Sequence, residues 1–362
     1  MHVRVLSQWL ARQDVIGHSA RVAAVLRAVG GVISGGKLSL THIGRHLAGR
    51  AKIKHQIKAA DRLLGNQHLR HERDGIYRAI VRTLLHGKHR PVIVVDWSDV
   101  QSGREWALLK AAVPAGGRAI SLYESVFPFK RYNSDAAHRE FLRALHSILP
   151  DGCRPVIVTD AGFRGPWFRA VEALGWDWVG RLRSKSHFFC EKSGAWRLTR
   201  SLFPRATSRP RFFGEVTLTR QTRYRARLYL VRAHKIRTGR PRRRRRTNND
   251  ASYRQAHREP WLLATSLPHG YGSERRITAI YAKRMQIEET FRDLKCHRWG
   301  FGLCYSLCRS AQRLNTMLLL AALASLVVWL VGLAARSIQA HRHLQANTER
   351  RREVLSAFFI GR

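Results

Sequence analysis

Hydrophobic positions follow two different spacings along the chain, and the change comes near residue 88. Before it, LSLTHIGRHLAG and RAKIKHQIKAADRLLGN place apolar residues three and four apart with basic residues between them, which predicts helices. From Pro91 onward the apolar residues form short continuous runs, which are typical of strands buried on both faces. The pattern predicts a helical amino-terminal region followed by an α/β core.

Two apolar runs in the core region end in aspartate. PVIVVDWSDV predicts a buried strand that ends at Asp96, and RPVIVTDAGF predicts a second one that ends at Asp160. Between them, REWALLKAAVP and RAISLYESVFP predict an antiparallel hairpin with its turn at residues 115–117. A helix over DAAHREFLRALHSIL, capped by Asn133 or Ser134, separates this hairpin from the second run.

A helix from about Pro166 to Leu174 and the strand DWVGRLR follow. The order β-β-β-α-β-α-β, closed later by another helix, predicts a ribonuclease-H-like mixed sheet flanked by helices. Ligands of α/β sheets gather at the carboxyl ends of strands, where Asp96 and Asp160 are predicted to lie. Each aspartate could instead be a turn former or a helix cap. Asp99 competes with Asp96, which we prefer because it directly ends the VIVV run.

A further carboxylate lies in YAKRMQIEETFRDLK, residues 281–295. On one continuous helix at 100° per residue, four of its side chains fall within about 60° of each other: Tyr281, Arg284, Glu288 and Lys295. Glu289 falls roughly 100° from Glu288, so Glu288 is the glutamate that shares a stripe with the two cations. The alternative is an exposed helix with ion pairs four residues apart.

Charge narrows the class of partner. The 362 residues include 66 Lys and Arg against 24 Asp and Glu, which gives a formal net charge of +42. An excess of this size predicts a polyanionic partner, either nucleic acid or an anionic membrane surface. With 44% hydrophobic residues the chain has enough apolar material for a large folded core.

The spacing Y-x2-R-x3-E-x6-K resembles the signature of bacterial insertion-sequence transposases of the DDE type, in the YREK-bearing family. The phrase KAADRLLGN also resembles the amino-terminal region of that family. The resemblance implies a catalytic core with Asp96, Asp160 and Glu288 as catalytic residues. It also implies a hairpin intermediate at the DNA end and a protein dimer that bridges both ends of the element.

Three carboxylates brought to one point repel each other unless a divalent cation lies between them. Hard oxygen ligands suit Mg²⁺ or Mn²⁺, and two such ions clamp the attacking and leaving oxygens of an in-line displacement at phosphorus. We therefore predict Asp96, Asp160 and Glu288 as ligands of two ions. Arg284 and Lys295 are predicted to hold phosphate of the nontransferred strand, with Tyr281 donating a hydrogen bond.

The amino-terminal helices carry a second DNA-binding prediction. LSLTHIGRHLAG begins at a cap, Ser39 or Thr41, and ends near Gly49, and the following helix is rich in cations. Two helices joined in this way are compatible with a helix-turn-helix whose second helix enters a DNA groove. Its predicted DNA-binding side chains are Lys52, Lys54, Lys58 and Arg62. A plain solvated helix face would look the same.

Residues 184–259 break the core pattern. EVTLTRQ and YRARLYLVRAHK alternate like exposed strands, and RPRRRRR at 240–246 is either a solvated loop or a nonspecific DNA clamp, which the net charge favours. The segment resembles the β-rich insertion of the family. PWLLATSLP then predicts a strand that re-enters the core. Trp261 matches a tryptophan that stacks on a flipped base in related hairpin-forming transposases, although Met285 replaces a second aromatic found in some relatives.

The apolar run at 317–335 is long enough to cross a membrane. It begins soon after Lys295, so we expect a helix buried against the sheet and no membrane partner. Five cysteines without a C-x2-C pair predict scattered reduced thiols in a cytoplasmic protein, with a zinc site at Cys304, Cys308 and His297 as the alternative.

The sequence therefore predicts a DNA transposase that cleaves element ends and joins them to target DNA by a cut-and-paste reaction in the bacterial cytoplasm, associated with the nucleoid. The alternatives are a ribonuclease-H-like nuclease that only hydrolyses DNA, and a non-catalytic DNA-binding or membrane-associated protein. The predicted segments are a basic helical region, two parts of the catalytic core around a β-rich insertion, and carboxy-terminal helices: 1–88, 89–183, 184–259, 260–300 and 301–362.

Overall fold

A computed structural model describes residues 2–101, 103, 105–221, 223–232, 259–298, 300–346, 348–349 and 353–362. The chain forms two compact units, the first made of Met1–Cys153 with Met285–Arg362 and the second of Arg154–Arg284. The arginine run predicted as a DNA clamp, at 240–246, lies outside the described residues. The segment boundaries given above stay a prediction.

The described residues form eleven α-helices and ten strands. The helices are α1 His2–Gln13, α2 Ser19–Gly35, α3 Leu40–Arg45, α4 Ile53–Leu64, α5 Gln67–Leu85, α6 Asp135–Ile148, α7 Gly165–Glu172, α8 Glu274–Ala282, α9 Met285–Lys295, α10 Ala311–Ser337 and α11 Ala357–Gly361. The strands are β1 Val92–Asp99, β2 Trp106–Pro114, β3 Ala119–Pro128, β4 Val156–Thr159, β5 Asp177–Leu182, β6 His187–Cys190, β7 Ala195–Leu198, β8 Arg211–Leu218, β9 Tyr224–Val231 and β10 Trp261–Thr265.

Helices α1 to α5 confirm the predicted helical start of the chain. Ser39 caps α3, where its hydroxyl accepts a hydrogen bond from the backbone N–H of His42. Helix α3 ends at Arg45, four residues before the predicted end at Gly49. A Cβ on Gly44 would lie 2.6 Å from the Cα of Ile57, so glycine allows α3 to approach α4 this closely.

In the first unit the strand order is β3-β2-β1, and both pairings are antiparallel. The predicted hairpin of β2 and β3 is confirmed, with its turn at Gly116 and Gly117, which have φ of 65° and 93°. Ser134 is the cap of α6, because its hydroxyl accepts a hydrogen bond from the N–H of Ala137, whereas Asn133 takes a left-handed conformation with φ of 54°.

The prediction that β1 ends at Asp96 is wrong. The strand continues to Asp99, because Trp97, Ser98 and Asp99 stay paired with β2. Trp97 is buried on the side of α6, where its indole N–H donates to Nε2 of His138 over 3.1 Å. This packing extends the strand past the aspartate that was predicted to close it.

The apolar run at 317–335 lies in α10, a helix long and apolar enough to cross a membrane by length and composition. In the first unit this helix packs against β3, α2, α5 and α11. Of the most apolar 18-residue segment of this helix, 72% is buried, which agrees with the predicted buried helix. Asn315 extends the contact, because its side-chain oxygen accepts a hydrogen bond from the backbone N–H of Val126 over 3.0 Å.

In the second unit the strand order is β4-β5-β10-β9-β8-β6-β7. Strands β4 and β5 are parallel and are joined through α7, and the other pairings described in this unit are antiparallel. Strand β10 lies between β5 and β9, which confirms that PWLLATSLP re-enters the sheet after the insertion. Along the chain, the order of three antiparallel strands, a helix and a parallel pair joined by a helix is that of the predicted α/β ribonuclease-H-like fold.

The prediction of one helix through residues 281–295 is also wrong. Helix α8 ends at Ala282 and α9 begins at Met285. The backbone N–H groups of Lys283 and Arg284 donate to carbonyls three residues back, over 3.2 and 3.0 Å, and this tighter turn closes α8. The wheel positions of Tyr281 and Arg284 therefore do not carry over to α9.

Candidate active site

Asp96 lies at one end of a row of charged side chains across the sheet of the first unit. Its cross-strand partner on β2 is Lys110, and the partner of Lys110 on β3 is Glu124. Partners directly opposite in a sheet project from the same face, so the three side chains share one side of it. The ammonium of Lys110 lies 5.3 Å from the ring centroid of Phe291 on α9, which shows that α9 covers this side.

Helix α9 presents two faces with different roles. Glu289 and Asp293 form ion pairs with Arg118, and Glu289 also pairs with Arg292. Glu288 is exposed and lies one turn before Phe291, with Lys295 one turn beyond it. The expectation that Glu288 and Lys295 share a stripe that Glu289 does not share therefore holds within α9.

Hydrogen bonds at the turn between β2 and β3 fix α9 against the sheet. Thr290 Oγ1 accepts a hydrogen bond from the backbone N–H of Ala119 over 2.8 Å, and Gln286 Oε1 accepts one from the N–H of Ala115 over 3.0 Å. Ile287, Phe291 and Leu294 supply the buried face of the helix. The polar anchors and the apolar face together set the position of Glu288 relative to β1.

Lys295 is half-buried, and its environment changes its charge equilibrium. Burial is the main cause that lowers the pKa of Lys295, and the nearby charge of Lys110 adds to this effect. The carboxylate of Asp99 opposes it by favouring the ammonium form. Asp99 therefore interacts with a predicted DNA-binding residue, whereas Asp96 lies in the row with Lys110.

In the second unit Asp160 directly follows β4, as predicted. Its Oδ1 accepts a hydrogen bond from the backbone N–H of Gly162 over 2.8 Å, which forms the turn that was given as the alternative role. The negative charge of Asp160 also acts on Tyr281 by raising the pKa of its hydroxyl.

Tyr281 is buried next to two cations. Burial is the largest cause of its raised pKa, while the charges of Arg284 and Arg181 work in the opposite direction. The guanidinium carbon of Arg284 lies 5.9 Å from the centroid of the tyrosine ring. The phenol therefore stays protonated at neutral pH and keeps a proton that it can donate.

Trp261 lies at the start of β10 and is partly buried. Its ring meets the ring of Tyr281 edge to face, with centroids 5.0 Å apart. This contact gives the indole a packing role in the protein, and base stacking by Trp261 stays a prediction.

Arg181 on β5 is a residue of this cluster that the sequence analysis missed. One of its terminal nitrogens donates to the carbonyl of Glu259 over 3.0 Å, and burial lowers its pKa. The neighbouring Arg183 pairs with the carboxylate of Glu259. A possible signal was the alternation in DWVGRLR, since two arginines at the end of an apolar strand have no packing reason to be there.

The predicted DNA-binding side chains of the amino-terminal region form an exposed face. Lys52, at the cap position of α4, and three cations on α4 are exposed: Lys54, Lys58 and Arg62. Ile53 is exposed among them at 58%. The opposite side of α4 is buried through Gln56, Ala60, Leu63 and Leu64.

All five cysteines are free thiols. Among the residues that the structure describes, no three His, Cys, Asp or Glu side chains are grouped closely enough to hold a metal ion. The alternative zinc site at Cys304, Cys308 and His297 is therefore not formed in this part of the chain.

The family of the chain follows from its sequence. Residues 87–325 match the family described as Transposase DDE domain, so the chain belongs to that family and is a transposase. A cryo-EM structure of a piggyBac transposase synaptic complex with hairpin DNA is similar at 10% identity and a TM-score of 0.45, over 94% of this chain and 69% of that chain. No curated protein sequence matches the chain.

Proposed function

We propose that this transposase excises its element by cutting DNA at both ends and joins the freed 3′ ends to target DNA. The observation that carries the proposal is the family match over residues 87–325, because it spans Asp96, Asp160 and Glu288. These carboxylates are proposed as the catalytic residues. Their contexts support the choice: Asp96 shares a sheet face with Lys110, which contacts α9, Glu288 is exposed on that helix, and Asp160 directly follows β4.

The same three carboxylates are the proposed holders of two Mg²⁺ or Mn²⁺ ions. The chemical type of the donors suits these ions, since carboxylate oxygens are the hard ligands that the cations prefer, but the described residues contain no preformed group of three such side chains. Bound ions of this kind generate a nucleophile and stabilise charge at phosphorus. Lys110 and Glu124, beside Asp96, form an ion pair whose charges cancel. The net negative charge of the row is therefore the charge of Asp96, and it would attract a cation.

The cationic residues are proposed to hold DNA. Arg284, Arg181 and the protonated hydroxyl of Tyr281 are concentrated within the second unit, and such donors suit a phosphate group. Lys295 on α9 is proposed as a further phosphate ligand. The exposed cations of α4 are proposed to bind the duplex of the element end, with a protein dimer bridging the two ends.

The test is a reaction of the purified full chain with Mg²⁺ and an end-labelled plasmid that carries the DNA flanking this reading frame. The proposed chemistry predicts two products. One is the excised element, and the other is DNA in which the labelled 3′ ends are joined to a second plasmid that serves as the target. Cleavage without joined products would leave a nuclease that only hydrolyses DNA. Binding of the plasmid without cleavage would leave a non-catalytic DNA-binding protein.

A further inference from the structure

Lys110 and Glu124 form an ion pair inside the first unit. Their side chains lie 2.8 Å apart between Nζ and Oε1, and the two residues are only 2% and 1% exposed. The other carboxylate oxygen, Oε2, accepts a hydrogen bond from the hydroxyl of Tyr77 on α5 over 3.2 Å. Burying two charges costs more free energy than apolar residues of the same size would, so stability alone does not account for the pair.

A bulge in the hairpin brings the two residues together. From the turn, Pro114 pairs with Ala119 and Ala112 with Ser121, and an unbroken count would place Lys110 opposite Tyr123. The register shifts between Ala111 and Ala112, so that Lys110 lies opposite Glu124 instead. Because neighbouring residues on a strand point to opposite faces, this shift moves the glutamate to the face of Lys110.

The paired ammonium also contacts the helix that carries Glu288. It lies 5.3 Å from the ring centroid of Phe291, within the range of a cation–π interaction. Phe291 is three residues after Glu288 and four before Lys295, so all three lie on one stripe of α9. Lys110 is at the same time the cross-strand partner of Asp96. One buried cation therefore connects the strand of one proposed catalytic carboxylate to the helix of another.

We propose that Lys110 is a positioning residue, fixed by Glu124, that holds the Glu288 stripe of α9 in register with Asp96 on β1. The inference rests on the proposed function, because it assigns a role within that active site. The bulge and Tyr77 fix the glutamate, the glutamate fixes the ammonium, and the ammonium fixes Phe291. The expected consequence is that the pair controls turnover and not DNA affinity.

The first test is the double variant Lys110→Met/Glu124→Gln in the full chain. It removes both charges and keeps an acceptor for the hydroxyl of Tyr77. With the flanking-DNA substrate at saturation and Mg²⁺ or Mn²⁺, we expect cleavage to slow by at least about tenfold while the DNA Kd stays within about twofold. The matched control, Arg21→Met/Glu72→Gln, removes an ion pair between α2 and α5 in the same unit and should cleave at the wild-type rate. A double variant that cleaves like the wild type overturns the inference.

The charge-swap variant Lys110→Glu/Glu124→Lys distinguishes the effect of having a buried ion pair from the effect of placing the ammonium on β2. It retains a buried pair but moves the ammonium to β3, away from Asp96 and from its place on β2 under α9. We expect no recovery of the cleavage rate, and recovery would show that any buried pair is sufficient.

Phe291→Leu keeps the inference testable if the pair variants do not fold. It should slow cleavage severalfold by itself, which needs no pair variant. Where Lys110→Met/Glu124→Gln folds, Phe291→Leu should add no further loss in that background, since both changes break the same contact. Wild-type cleavage by Phe291→Leu, or full additivity, overturns the inference. A wild-type chain that fails to cleave any flanking DNA would refute the proposed function instead, so the two failures are distinguishable.

Discussion

The indole of Trp261 meets the ring of Tyr281 edge to face, with the two ring centroids 5.0 Å apart. This contact joins the first residue of β10 to the last turn of α8, next to Arg284. An edge-to-face aromatic pair contributes about 0.5–1.5 kcal/mol beyond the burial of its area. Trp261 therefore supports the position of the tyrosine hydroxyl whether or not it also contacts a base.

Trp261→Ala should lower the free energy of unfolding by about 1–3 kcal/mol, because it removes the aromatic contact and part of the buried area. Trp261→Phe keeps a ring and should recover most of the loss in chemical denaturation. An alanine variant as stable as the wild type would show that the pair does not support the fold.

Tyr281→Phe isolates the hydroxyl from the ring. The ring contact with Trp261 remains, so the melting temperature should stay within about 2 °C of the wild type. Binding of end DNA should weaken by about tenfold, because a hydrogen bond to a charged phosphate is lost. Unchanged affinity in a fluorescence-anisotropy titration would remove Tyr281 from the phosphate-binding residues.

His138 should make the protein less stable in mild acid. Burial holds its pKa at about 4, so the folded protein keeps the imidazole neutral while the unfolded chain takes up a proton below its ordinary pKa of 6.5. Stability is therefore lost as the pH falls from 6.5 towards 4, by about 2 kcal/mol at pH 5.

Denaturant titrations of His138→Gln between pH 7 and pH 4 check this prediction. The glutamine keeps an acceptor for the indole of Trp97, and the free energy of unfolding of this variant should depend less on pH than that of the wild type. The matched control His146→Gln, at an exposed position on the same helix, should leave the pH dependence unchanged. An equal slope in both variants would contradict the role of His138.

Deprotonation of Lys295 should weaken DNA binding at alkaline pH. Its pKa is lowered in the free protein, and phosphate binds the charged form, so the affinity for end DNA should fall as the pH rises through that lowered pKa, by up to about tenfold per pH unit. Lys295→Arg, which stays charged, should remove the fall in binding titrations from pH 7 to pH 10, whereas Lys54→Arg should not. If the affinity of Lys295→Arg falls with pH as much as that of the wild type, the loss of affinity comes from a different titrating group.

The cations of α4 should appear in the salt dependence of DNA binding. Lys54→Ala/Lys58→Ala should reduce the slope of log Kd against log salt by about 2, since each lost phosphate contact contributes about 0.9. Arg139→Ala/Arg143→Ala removes a pair with the same spacing from exposed positions on α6 and should leave the slope unchanged. If both double variants change the slope equally, α4 contributes only general positive charge and no specific phosphate contacts.

Features with a local cause were predictable from the sequence. The cap at Asn133 or Ser134, the hairpin turn and the strand before Asp160 each follow from residues within a few positions of one another, and the structure selects Ser134. The buried position of α10 followed from its all-round apolar surface and its place after α9. In these segments propensity, capping and hydrophobic pattern all favour the same structure.

Features set by tertiary packing were not predictable. No glycine or proline lies at the break between α8 and α9, so nothing in the sequence marks the end of the helix at Ala282. Strand β1 passes Asp96 because Trp97 packs against α6. The partnership of Lys110 with Glu124 depends on a one-residue bulge that the hydrophobic pattern of the hairpin does not reveal.

The most direct test of the central claim is metal-dependent cleavage of flanking DNA by five single variants of the full chain. Asp96→Ala, Asp160→Ala and Glu288→Ala should each lower the rate by more than about a hundredfold while DNA retention is kept. The controls Asp99→Ala and Glu289→Ala should cleave within about tenfold of the wild type. Asp99 acts on the charge of Lys295, a proposed phosphate ligand, and Glu289 belongs to partly exposed ion pairs, which contribute little. Cleavage that survives in any of the first three variants, or that is abolished by Asp99→Ala in place of Asp96→Ala, would contradict the proposed catalytic carboxylates.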